Sequence, residues 1–289
     1  MTFDGTALSE GDLDGVVGLA LRCAAHDGGL PATATADFLR RRYAGPGTTA
    51  LGVFSGGRLV ACGARRPTPE GALLTGLVDL DHRRRGLGAE LFDRLAAARP
   101  GDAGPLGVET ESLKPYGERF LGVRGFARVF AEDVLVLGAR TSPPPVAPPG
   151  DVTVEEWSDG NRADFHAAYR ASFADRPGFP DPPLDHWVDW TVDDTFLPAC
   201  SLLARDAVGA PVAFVTCAEG YLVQVGCVPD RRRTGLGRAL AAAALTRLRA
   251  RGDGEVFLDV NADNPGSAAL FRGLGLVPVA RRARFARSG

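Results

Sequence analysis

Lysine is almost missing: of the 33 Lys+Arg residues in this 289-residue chain, only Lys114 is a lysine. Together with abundant Ala, Gly and Pro, that bias reflects GC-rich coding rather than chemistry. Net charge is also small, formally −2, so the chain lacks the broad basic surface that nucleic-acid backbones require, and its arginine clusters are local. The five cysteines (Cys23, Cys62, Cys200, Cys217, Cys227) stand singly. With no C-x-x-C pair and no metal-ligand spacing, they argue against a metal site and a disulfide framework. No apolar run approaches the roughly 18–20 residues of a membrane span. Met1-Thr2-Phe3-Asp4 carries an acid where a secretory signal carries basic residues. A cytoplasmic protein with neither a membrane nor a nucleic-acid partner is the expectation.

The composition, 45% hydrophobic and 24% charged, is that of a globular chain, and the length suits two domains. One short pattern, R-x-x-G-x-G, occurs twice: Arg83-Arg84-Arg85-Gly86-Leu87-Gly88 and Arg232-Arg233-Thr234-Gly235-Leu236-Gly237. Each copy runs from a β-rich stretch into an Ala/Leu-rich helix. A glycine-rich turn there bares successive backbone N–H groups and aims them, with the positive end of the helix dipole, at one point suited to phosphate.

Between the copies lies Thr141-Ser142-Pro143-Pro144-Pro145-Val146-Ala147-Pro148-Pro149-Gly150, a semi-rigid linker poor in ladder donors. The expected domains are therefore 1–140 and 151–289, with 141–150 between them. In the first, a helix ending near His26 precedes strands at 50–54, 58–64 and 73–80. The motif and a helix from Leu87 to about Ala98 follow, then a strand at 105–109, a helix at 116–123 and a closing strand pair from Phe126 to Leu137. The second half reads in parallel: strand 152–155, helices 162–172 and 184–192, and strands 201–204, 212–218 and 221–228. After its motif come a helix to Arg251, strand 256–260, a helix at 267–273 and a short strand pair from Leu276.

Val228-Pro229-Asp230-Arg231 leading into the second motif, and Leu258-Asp259-Val260-Asn261-Ala262-Asp263-Asn264-Pro265-Gly266-Ser267-Ala268-Ala269-Leu270-Phe271 after it, resemble the fourth-strand loop and the fifth-strand and helix segment of the GNAT superfamily of acyl-CoA-dependent N-acyltransferases. In the first half the loop is intact, while Val108-Glu109-Thr110-Glu111 and Phe120-Leu121-Gly122 match only loosely. The resemblance implies two GNAT-like α/β domains in tandem, each a mixed, mostly antiparallel sheet flanked by helices. The C-terminal domain is expected to be active and the N-terminal one degenerate. It implies acetyl-CoA as co-substrate, with pyrophosphate on the N–H groups of Arg233, Thr234, Gly235, Leu236, Gly237 and Arg238, and with the arginine triplets, Arg232 among them, reading either as solvated surface or as within reach of the 3′-phosphate. Pantetheine would lie along Gly226, Cys227 and Val228, with Asn261, Asn264 and Phe271 also against CoA. Arg83, Arg85, Gly86 and Gly88 are the first-half counterparts.

An amine acceptor must lose a proton. Glu219 at the turn into the fourth strand and Gln224 within that strand are candidates, Glu219 reading equally well as a polar hairpin turn. Asp259, alternating with the inward residues of its strand, is another candidate base and reads equally well as a solvated strand position. Many family members carry a Tyr at the position of Phe271, and its first-half equivalent is Leu121; neither donates a proton. That leaves Tyr221, Ser267, water or unassisted departure of the thiolate. Asn264-Pro265 also reads as a helix N-cap followed by Pro at the first helical position.

A P-loop nucleotide hydrolase would need Lys-Ser/Thr after the second glycine, and a dinucleotide-binding fold would place its glycines near the start of a βαβ unit; neither holds. The remaining rival is a silent acyl-CoA-binding module. The expected acceptor is a small-molecule amine, a cysteinyl amine being a specific alternative, and the expected state is a monomer.

Overall fold

A computed structural model of the chain describes residues 5–97, 104–176, 178–252 and 254–287. The opening Met1–Asp4 and the expected helix end at Ala98 lie outside the described residues. The elements are β1 (Thr6–Ala7), α1 (Leu13–Asp27), α2 (Ala36–Tyr43), β2 (Thr49–Ser55), β3 (Arg58–Thr68), β4 (Gly71–Val78), α3 (Leu87–Ala96), β5 (Leu106–Thr110), α4 (Pro115–Gly122) and β6 (Phe126–Leu137). Then follow β7 (Thr153–Glu156), α5 (Arg162–Phe173), α6 (Leu184–Thr191), β8 (Leu202–Arg205), β9 (Pro211–Ala218), β10 (Tyr221–Cys227), α7 (Leu236–Ala250), β11 (Val256–Asn261), α8 (Pro265–Arg272) and β12 (Val277–Arg287). No helix among the described residues is long and apolar enough to cross a membrane.

The chain groups into two compact units. The N-terminal unit comprises Met1–Val134, Asn261–Asp263 and Val279–Gly289; the C-terminal unit comprises Leu135–Val260 and Asn264–Pro278. In the N-terminal unit the sheet runs β1-β2-β3-β4-β5-β12-β6. Helices α1 and α2 bury Val16, Leu19, Leu39 and Tyr43 in one core cluster, while Leu95, Leu121 and Phe285 belong to another. In the C-terminal unit the order is β11-β10-β9-β8-β7, and α7 buries Leu236, Leu240, Leu245 and Leu248 within the main core cluster. The buried stripe of α7 thus runs through Ala244 and Leu245, with Ala243 at its margin.

Two expectations change at the strand pairs. Residues Phe126–Leu137 and Val277–Arg287 each form one long strand rather than a short pair. Glu132-Asp133 and Arg281-Arg282, charged pairs within these stretches, are matched across neighbouring strands: Arg281 Nε lies 2.7 Å from Asp133 and Arg282 3.7 Å from Glu132. Opposite charges paired this way keep the strand going. Helix α2 was not anticipated. Thr35 caps it by accepting the Phe38 N–H at 3.4 Å, and Leu39 and Tyr43 bury one face at i, i+4 spacing.

Candidate active site

The two arginine-glycine loops are conformational copies. Arg83 and Arg232 are extended (φ −68° and −67°), Arg84 and Arg233 are left-handed (φ 59° and 63°), and Gly86 and Gly235 cap the helices at φ 86° and 90°. Only glycine holds that cap position without strain. The first bonds inside each helix run from Glu90 N–H to Gly86 O at 3.0 Å and from Ala239 N–H to Gly235 O at 2.9 Å. The N–H groups of Leu87, Gly88 and Ala89, and of Leu236, Gly237 and Arg238, therefore precede the helical ladder at the positive end of the helix dipole. Thr234 Oγ1 donates to Arg231 O at 2.8 Å and braces the second loop.

The side chain of the first arginine of each motif is held within its own unit. Arg83 donates from Nε to Val78 O at 2.9 Å and from its two terminal nitrogens to Asp27 at 3.0 and 2.5 Å. Arg232 donates to Cys227 O at 3.3 Å and to both Asp175 oxygens at 2.6 and 2.9 Å. Each guanidinium ties the end of a strand to the end of the unit's first long helix, using a planar fork that matches a carboxylate. Arg85 and Arg233 remain exposed on the loops, and Arg238 bonds Gly273 O at 3.2 Å.

Burial opposes ionisation of Asp27, but the bonds from Arg83 and His26 outweigh it and hold its carboxyl below the usual range. A lowered folded-state pKa contributes stability that is present above the unfolded pKa of about 4 and is lost as pH falls through the folded value. Asp27→Asn is accordingly expected to flatten the dependence of thermal stability on pH in that window. An unchanged slope in melts taken between neutral and acidic pH would count against this role.

In each unit the strand before the loop parts from its parallel neighbour. β4 pairs with β5 through Ala72↔Leu106, Leu73↔Gly107 and Leu74↔Val108. β10 meets β11 at Tyr221↔Phe257. Beyond those points no pairing between the two strands is found among the described residues, and an unpaired strand edge can take up an extended, amide-bearing ligand. β10 differs in one respect: against β9, Leu222 pairs with Cys217 and Gln224 with Thr216, so Val223 is an extra, bulged residue. A bulge bends the strand and leaves backbone groups unpaired. The β3–β4 ladder is regular from Ala61↔Val78 to Thr68↔Gly71.

At the C-terminal fork, Tyr221 Oη lies 2.7 Å from Asp259 Oδ2. Gln224 is partly buried, and its Oε1 is a buried acceptor with no hydrogen-bond partner among the described residues. Gly226 lies so close to β9 and α5 that a Cβ there would sit 2.3 Å from Phe214 Cε1 and 2.8 Å from Ser172 Oγ. Glu219 is exposed in the turn, its N–H on Thr195 O at 2.9 Å. Burial pushes the Cys227 thiol up to about 11, with Arg232 and Arg231 opposing, which keeps it protonated at neutral pH and ill suited to nucleophilic attack.

In the second motif Asn264 is a working N-cap, its Oδ1 accepting the Ser267 N–H at 3.0 Å. Asn264→Ala should cost about 1 kcal/mol of stability, read by thermal or urea denaturation. Asn261 Oδ1 accepts the Asp263 N–H at 2.8 Å, both residues belonging to the N-terminal unit. Phe271, expected against CoA, is 7% exposed and packs in the C-terminal core cluster. Tyr169 and Trp187 also pack in the core, beside Phe165 and Phe214.

The N-terminal fork holds a cavity of about 490 Å³ that reaches Gly86 and Gly88, the β4 edge and the end of β5. There Glu109 occupies the β5 position that Asp259 occupies on β11. Its surroundings are different: Arg42 at 2.7 Å and Arg66 at 3.2 Å sit on Oε2, and Arg284 at 3.4 Å on Oε1. These arginines lie far from Glu109 in the sequence, so no local pattern announces them.

The Acetyltransferase (GNAT) family matches residues 154–276. The chain is 31% identical to the mycothiol acetyltransferase of Clavibacter michiganensis subsp. michiganensis, over 89% of this chain and 86% of that protein. It is also 31% identical to the mycothiol acetyltransferase of Thermobispora bispora, over 92% of each. A GCN5-related N-acetyltransferase from Sphaerobacter thermophilus superposes with a TM-score of 0.75 at 22% identity, covering 100% of this chain and 98% of that one. A tandem GNAT protein from the clavulanic acid biosynthesis pathway superposes at 0.63 and 21% identity over 99% of each chain. Loop geometry, forked strands and these relatives agree: the chain belongs to the GNAT family of N-acetyltransferases, whose co-substrate is acetyl-CoA.

Proposed function

We propose that the protein acetylates a primary amine of a small molecule and that turnover takes place at the fork of the C-terminal unit, within the sequence domain 151–289. The observation that carries this reading is the combination on β10 of an open edge, a bulge at Val223 and the Tyr221–Asp259 pair.

In this reading the N–H groups from Arg233 to Arg238 hold the CoA pyrophosphate. The backbone around Gly226, Cys227 and Val228 pairs with pantetheine amides. A β10 N–H polarises the thioester carbonyl, a contribution of about 3–4 kcal/mol for one donor in comparable acyl transfers. The amine nitrogen attacks the carbonyl carbon, the C–S bond breaks and CoA leaves as the thiolate, which needs no acid as strong as an amine leaving group would. The proton lost by the amine passes to Asp259 by way of the Tyr221 hydroxyl, while Gln224 Oε1 accepts an N–H of the acceptor. Transfer is direct, in a ternary complex, and the chain acts as a monomer in the cytoplasm.

A second reading keeps the same chemistry with a cysteinyl amine as acceptor, as in mycothiol synthase, whose tandem layout is similar. It is favoured by the relatives named mycothiol acetyltransferase.

The test is calorimetric titration of acetyl-CoA, with turnover assays on a panel of amines that includes a cysteinyl amine, using the full chain and its Gly88→Asp and Gly237→Asp variants. Neither glycine has a positive φ, and each has ordinary van der Waals room for a Cβ, so the added charge acts on the phosphate rather than on the fold. Loss of turnover in Gly237→Asp alone supports the reading. Loss in Gly88→Asp alone moves the active site to the other unit, and no acetyl-CoA binding by the unaltered protein ends the acetyltransferase assignment.

A further inference from the structure

The cavity of the N-terminal unit has two chemically different ends. One lies at the loop, where the unladdered N–H groups of α3 begin and where His82, which lines the cavity, keeps a buried Nδ1 with no hydrogen-bond partner among the described residues. From there the wall follows the β4 edge from Val78 back to Leu74, and beyond the Leu74↔Val108 pair it continues onto α1 and α2.

The end on α1 and α2 is lined by Ala20, Ala34, Phe38 and Leu39, which pack in one core cluster with Tyr43 and Cys62. Its polar groups are already engaged with one another. Tyr43 is buried there beside Cys62. Arg42 donates to Glu109 at 2.7 Å and to Glu111 at 2.6 Å. An ammonium arriving there would find Glu109 and Glu111 occupied by guanidinium groups, and the strand beside it lacks the bulge found in β10. That environment disfavours an amine acceptor and suits hydrocarbon.

We propose that this cavity binds, without transferring, an acyl-CoA whose acyl group is an apolar chain longer than acetyl. Its pyrophosphate lies at Gly86 and Gly88, and its chain lies among Ala20, Ala34, Phe38 and Leu39. This rests on the reading that the loop receives CoA, and adds the class of acyl group. Burial of each methylene should tighten binding about fourfold.

The experiment uses the full chain carrying Gly237→Asp, so that only the N-terminal site reports. It is titrated with CoA, acetyl-CoA, butanoyl-CoA and hexanoyl-CoA, and the same series on the unaltered protein shows what the C-terminal site adds. The expected result is an affinity that rises about fourfold per methylene from acetyl to hexanoyl, with that dependence, but not CoA binding itself, lost in Ala34→Leu or in Ala20→Leu on the other helix. Equal or weakening affinity with chain length, while CoA still binds, overturns the proposal. If CoA and all its thioesters fail to bind at this site, the reading of the loop beneath it falls instead.

Discussion

Deleting residues 279–289 should unfold the N-terminal unit while leaving the C-terminal one protected. The deleted stretch is the last part of β12, which pairs with β5 through Ala283↔Thr110, Arg284↔Glu109, Phe285↔Val108 and Ala286↔Gly107. Phe285 and Ala283 are 2% and 3% exposed. Removing a buried Phe side chain alone costs about 3–5 kcal/mol. The deletion also removes Arg281 from Asp133, Arg282 from Glu111 and Arg284 from the buried Glu109, and it strips β5 of a ladder. Against a typical stability of about 5–15 kcal/mol, the sum leaves little margin. Hydrogen exchange or limited proteolysis checks it: rapid exchange and cleavage within residues 5–134, slow exchange retained in β8, β9 and α7. Uniform protection across both units would show that β12 is dispensable. For the same reason, a fragment cut at the 141–150 linker should be unstable as an isolated N-terminal half.

The second large effect lies at the fork of the C-terminal unit. Asp259→Asn keeps the size of the side chain and an acceptor for the Tyr221 hydroxyl, but removes the group that takes the proton. A loss of about 10²–10⁴-fold in kcat/KM is expected, the range of general base catalysis, with acetyl-CoA affinity unchanged by calorimetry. Tyr221→Phe should give a smaller loss, because a water can carry the same proton. Glu219→Gln should change turnover less than either, since Glu219 stands exposed in the turn. If Glu219→Gln proves the more damaging change, the proton leaves by the turn and the Asp259 route is wrong.

Much of this architecture is written in local pattern. The R-x-x-G-x-G segments specify their own conformation, because a left-handed cap glycine and a following Ala/Leu-rich helix are short-range requirements. Asn264-Pro265 announced a cap and the structure contains it. The central strands, α7 and α8 fall within a few residues of where periodicity places them. α2 was legible in principle, from Thr35 followed by Leu39 and Tyr43, but an arginine run masked its apolar face.

The site was less legible, because its chemistry depends on which distant side chains meet. Nothing near Arg83 or Arg232 in the sequence says that each guanidinium will close on Asp27 or Asp175 rather than face a phosphate. Glu109 and Asp259 hold equivalent strand positions, yet one is surrounded by arginines from α2, β3 and β12 and the other receives a tyrosine hydroxyl. The family, the duplication and the shared conformation of the two arginine-glycine loops were thus legible in sequence pattern, since each is encoded within a dozen residues. Which fork is bulged, which carboxylate is engaged by arginine and which unit the last strand completes were settled by sheet register and long-range packing, where a one-residue shift sends every side chain to the other face.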